Sequence, residues 1–176
     1  MIKTTIYLSK TLKKDKLLTN SSSIYLVNGG DGLQKTYLGL IMSEEEVAKG
    51  SGEAALHIAF EKLSSITPNV IQQNLVISEL EALKTAKLNK SEYLIYSRTE
   101  KWTDPLGINC VDIYSDEASV VLSLYSTQND KLLNSTRLAS SNCPHKLNGI
   151  PLTTGSPESL YENLFAKWVT NTFIQK

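Results

Sequence analysis

The stretch from Ser91 to Ser141 limits what this chain can fold into more than any other. An apolar and aromatic run, Tyr93-Leu94-Ile95-Tyr96, predicts a strand over Tyr93–Thr99 and leads on to Trp102-Thr103-Asp104. After a loop, Ala118, Val120, Leu122 and Leu124 alternate with Ser119, Ser123 and Tyr125. A two-residue period places the two sets on opposite faces of a strand. Gln128-Asn129-Asp130 supplies turn formers, and Leu132 to Ala139 returns as the second strand of a hairpin. This pattern marks the centre of a mixed sheet, and a sheet with an apolar face needs helices to cover it.

The rest of the chain supplies the partners. Ser23 to Val27 reads as a strand, stopped by the turn formers Asn28-Gly29-Gly30-Asp31-Gly32. Over residues 33–50, Tyr37 to Ile41 fits either an edge strand or a loop across the core. Ser51 is placed as the N-cap of a first helix over 52–66, with Glu53 in its first turn and Leu56, Ala59, Phe60 and Leu63 at helical spacing. Pro68 ends it, and Val70-Ile71 forms a short strand. Ser78 and Glu81 form a capping box that opens a second helix to Leu88, with Leu80 and Leu83 on its apolar side. Residues 142–155 read as a loop. The last helix starts from Ser156, Pro157 and Glu158 and carries the stripe Tyr161, Leu164, Phe165, Trp168.

The expected fold is therefore one α/β (α+β) domain over residues 20–176, behind a polar, lysine-rich leader over 1–19 with a strand at Thr5 to Leu8. It has a mixed sheet with a β-α-β-α-β core, a β-hairpin and a C-terminal helix packed on the sheet. The expected core is Ile24, Leu26, Leu56, Phe60, Leu63, Leu80, Leu83, Leu94, Val120, Leu122, Leu164 and Trp168.

Composition excludes some classes of function. Lys+Arg and Asp+Glu balance at 18 each, so no global field gathers nucleic acid, and none is expected as a partner. The charge is uneven, however: Lys3, Lys10, Lys13, Lys14 and Lys16 face only Asp15 at the start, and Glu44-Glu45-Glu46 is an acidic run. No apolar stretch approaches the roughly 18 residues of a membrane helix.

No assembled catalytic motif is present, so the chain reads as a non-enzyme with no catalytic residue, cofactor or metal assigned. The Asn28–Lys35 segment is glycine-rich and follows a strand, but it lacks Gly-Lys-Ser/Thr and reads as a turn. Cys143 and His145 flank Pro144 in a loop and do not read as a nucleophile–base pair. Asp112, Asp116 and Glu117 are dense enough to suggest a divalent-cation site and, as one alternative, a metal-dependent hydrolase. Without calcium-loop spacing, a solvated turn is the simpler reading. Trp102 either plugs the end of the core or joins Asp104, Tyr114 and Asp116 in a partner surface. Cys110 and Cys143 match no zinc pattern. In an oxidising compartment they would close a loop of about 34 residues, worth about 3–4 kcal/mol in the chain-entropy model; in a reducing one they stay free thiols.

Several of these pieces together resemble an uncharacterised family of bacterial envelope lipoproteins. They are Ile24-Tyr25-Leu26-Val27 before Asp31-Gly32, Gly50-Ser51-Gly52 opening a helix with Ala59-Phe60, Glu92 to Tyr96 running through to Trp102-Thr103-Asp104, and Ser156-Pro157-Glu158-Ser159-Leu160. The domains of that family look like the TolB amino-terminal and curli-secretion-lipoprotein type, mixed α/β modules used for protein contact. Where the family carries histidine, tryptophan, glutamate, aspartate and arginine, this chain has Lys101-Trp102-Thr103-Asp104-Pro105. The lipoprotein signal and acylated cysteine are missing from it. The resemblance implies a non-enzymatic protein-binding or scaffolding module of the envelope, in the periplasm or anchored at the outer membrane, with an anchor outside this chain as its membrane contact. A full-length chain would instead point to a cytoplasmic immunity or regulatory protein.

Overall fold

In the computed structural model, which describes residues 16–38, 42–104, 115–142, 146–147, 150–151 and 155–174, the sheet is built around the predicted central run. The strands are β1 (Ile24–Asn28), β2 (Leu33–Leu38), β3 (Met42–Val47), β4 (Val70–Gln73), β5 (Tyr93–Thr103), β6 (Asp116–Ser126), β7 (Lys131–Asn142), β8 (Lys146–Leu147) and β9 (Ile150–Pro151). The helices are α1 (Ser51–Ser64), α2 (Glu79–Leu88) and α3 (Pro157–Thr172).

Seven of these strands form one mixed sheet in which β5 is central. On one side β5 pairs antiparallel with β6, which pairs with β7. On its other side β1 runs parallel to its first half and β2 meets its far end at Lys101. β4 flanks β1 in parallel, and β3 flanks β2 as a hairpin. The segment over 33–50 thus forms two strands, with residues 39–41 outside the described residues. Residues 142–155, expected as a loop, contain the two-residue pair β8–β9.

Alternation along the strands separates two apolar layers. Ile24, Leu26, Ile95, Val120, Leu122 and Leu124 join α1 and α3 in the main core, where Tyr161, Phe165 and Trp168 stack in series. Tyr25, Val27 and Leu94 point the other way, under Ala82 and Ala86 of α2. The core expected from sequence holds except on three residues. Leu80 is 65% exposed, because α2 meets the sheet through its small alanines and turns the leucine outward. Phe60 and Leu83 are half-buried at the edges of the two layers.

The packed body already includes residues inside the expected leader. Leu18 is fully buried, and the Leu17 and Leu18 N–H groups donate to the Thr172 carbonyl at the carboxyl end of α3.

Candidate functional site

The glycine-rich turn after β1 does structural work at the start of α1. Asp31 Oδ1 accepts from the Gly52 N–H (2.8 Å) and Oδ2 from the Gly50 N–H (3.1 Å). Ser51 is not the N-cap as expected; Gly50 is, with φ of 82°. The Ser51 hydroxyl instead accepts from the Gly32 N–H at 2.9 Å, because the helix start packs directly on the turn. Free N–H groups at a helix start attract an anion, and here Asp31 already supplies one.

A groove of about 530 Å³ opens beside this junction. Its walls are the β2–β3 hairpin (Gln34, Glu46, Val47), the start of α1, the end of β5 and the first turn of α3. A bulge between Thr99 and Lys101 decides which side chain of β5 reaches it. Ile95, Ser97 and Thr99 face the helices, and the extra residue brings Trp102 rather than Lys101 to that side. Trp102 is 7% exposed, its ring edge-on to Tyr161 with centroids 6.0 Å apart. Its indole N–H donates to Glu158 Oε1 at 3.2 Å. Of the two sequence readings of Trp102, the structure displays the core plug, with one rim on the groove.

Three carboxylates gather here. Asp104 is exposed just past β5, Glu158 lies in the first turn of α3, and Asp116 opens β6 opposite Asn142 at 4% exposure. Burial first, then the neighbouring Asp104 and Glu158, pushes the Asp116 carboxyl up to about 6. Burial and then Glu158 likewise raise Asp104. No ion pair among the described residues reaches any of the three.

The structure therefore brings together Trp102, Asp104 and Asp116 of the sequence-derived surface. Tyr114 lies outside the described residues, as do Cys110, Cys143 and Asp112. Asp116 and Glu117 belong to a strand rather than to the expected solvated turn, and as successive residues they point to opposite faces. Glu117 joins Lys101 (3.5 Å) and Lys35 (3.9 Å) on the face away from α1 and α3. This divides the proposed metal ligands, and among the described residues no group of three or more His, Cys, Asp or Glu is placed to hold a metal ion. Glu46 and Glu158 were missed as site residues. Glu158 signals itself in sequence only as a helix-start acid, and its place beside Trp102 depends on how α3 docks.

The sequence matches no protein-family model and no curated protein. Solved structures do share its fold. The PelC dodecamer from Paraburkholderia phytofirmans is 16% identical, with 90% of this chain and 92% of that chain covered and a TM-score of 0.60. A single-substitution PelC dodecamer in a second space group gives 15% identity, 89% and 92% coverage and the same TM-score of 0.60. A lipoprotein from Neisseria meningitidis is more distant, at 13% identity, 84% and 94% coverage and a TM-score of 0.42, too low to carry weight.

Proposed function

We infer that this chain is a non-enzymatic, protein-binding module of the bacterial envelope that assembles with copies of itself. The observation that carries this reading is the fold shared over nine-tenths of the chain with a protein whose structure is a dodecamer. The resemblance of its strand and helix motifs to envelope lipoproteins supports the compartment. The helix-start geometry supports it too: Asp31 and Ser51 already fill the glycine-rich turn that follows β1. Sedimentation velocity of the full chain across a hundredfold concentration range tests the assembly. Discrete, concentration-dependent oligomers are expected, and a single monomer boundary throughout would reject it. Fractionation of cells producing the protein from its native gene tests the compartment, with recovery in the cytosol as the contrary result.

A further inference from the structure

Three strands border the sheet: β3, β4 and β7. An edge strand leaves a row of N–H and C=O groups unpaired, and charged side chains along it keep other chains away. β3 carries Glu44, Glu45 and Glu46, and β7 carries Lys131 and Arg137. β4 carries none, and no charged residue occurs from Leu63 to Ser78. Among the described residues β4 pairs with β1 alone. Its apolar side chains are uncovered as well: Ile71 is 44% exposed, with Leu75 at 72% and Val76 at 60% just beyond the strand.

The Ile24 N–H donates to the Asn69 carbonyl, with Ile24 opposite Val70 in the parallel register. Alternate residues turn their backbone groups to the same neighbour. Asn69 and Ile71 therefore face β1, and Val70 and Gln72 hold their N–H and C=O groups outward. The strand expected at Thr5 to Leu8 lies outside the described residues, but its chemistry suits this edge. Thr5, Ile6 and Tyr7 are β-branched or aromatic, and no charge interrupts the gap between Lys3 and Lys10. We propose that Thr5–Leu8 joins the sheet as an antiparallel edge strand on β4 of its own chain, a strap that covers Ile71 and withholds this edge from other chains.

The length of chain and its point of attachment favour this occupant. The Ser22 N–H donates to the Thr19 carbonyl in a turn, and the Thr67 hydroxyl donates to the Ser22 carbonyl at 2.8 Å. The chain entering β1 thus runs past the start of β4. Leu17, tied to Thr172, precedes Ile24 by seven residues. With that turn included, the path from Leu17 to Val70 is at most about 25 Å. Ser9–Lys16 spans up to about 30 Å between Leu8 and Leu17. A short flexible tether that matches its span holds its end at a millimolar effective concentration, so the chain's own segment outcompetes that of a second copy in dilute solution. The tethered end of the strap is Leu8, at the end of the sheet where β4 begins, so the two strands run in opposite directions. A parallel strand would need a crossover of a dozen or more residues.

Amide hydrogen exchange of the full chain, read by NMR at Val70 and Gln72, tests the strap. Both N–H groups are expected to exchange at least about tenfold more slowly than free amides, at a rate that does not change on dilution. The full-length double variant Ile6→Pro/Tyr7→Pro should abolish that protection. Successive residues of a strand turn their N–H groups to opposite sides, so the pair removes a donor toward β4 in either register. β1, paired on both sides, should stay protected in the variant and report an intact fold. Free exchange of Val70 and Gln72 in the unaltered chain would overturn the proposal, as would protection that survives the two prolines. Protection that falls on dilution would also overturn it, by assigning the edge to a second copy.

Discussion

Asp116 shows how one side chain can act against the fold that holds it. The folded chain keeps its proton up to about pH 6, whereas an unconstrained aspartate loses it near 3.8. The folded state thus binds more protons between those values, and stability falls as pH rises through that window. Asp116→Asn removes the effect. In urea unfolding at fixed protein concentration, the variant should gain roughly 1–3 kcal/mol at pH 7.5 and little at pH 4. A second residue-scale cost lies at the end of α2. Lys90 sits at φ of 56°, where the N–H of Ser91 donates to Ala86 and that of Lys90 to Lys87. This closing motif normally uses glycine. Lys90→Gly should therefore raise stability by roughly 0.5–1 kcal/mol, read from the denaturant midpoint at unchanged slope.

At the scale of elements, helix starts and docking faces decide the architecture. α1 takes its anionic cap from Asp31, nineteen residues before Gly50. Asp31→Ala leaves two N–H groups without their acceptor and should cost about 1–2 kcal/mol in chemical denaturation, with Asp31→Asn recovering part of it. α3 obeys its sequence: Ser156 accepts from the Ser159 N–H, Pro157 opens the helix and the predicted stripe is buried. Trp168→Ala should then cost roughly 3–5 kcal/mol, and Phe60→Ala, at the half-buried edge of α1, clearly less. Thermal and denaturant unfolding of both variants would check that order. α2 reverses expectation, because a helix on a small secondary layer packs closest through alanine and leaves Leu80 and Leu88 in solvent.

For the whole molecule, the sheet keeps the acids apart that the sequence sets side by side. With Asp116 and Glu117 on opposite faces, addition of Mg²⁺, Mn²⁺, Ca²⁺ or Zn²⁺ should give no saturable rise in Tm. A saturable rise abolished by Asp116→Ala would revive the metal reading, since a specific ligand stabilises by mass action. What the sequence determined by itself was local: the apolar run of β5, the alternation of β6 and the hairpin return of β7, the turn formers after β1, the capping residues of α2 and α3, and the apolar stripe of α3. These follow from period, cap and turn chemistry, which act within a few residues. Only the tertiary structure decided that β1 and β2 share one side of β5, that Asp31 caps a helix nineteen residues away, and that Glu158 meets Trp102. Such contacts depend on the docking of separate elements and on a one-residue bulge that reverses which side chains face inward, and neither leaves a periodic trace in the chain.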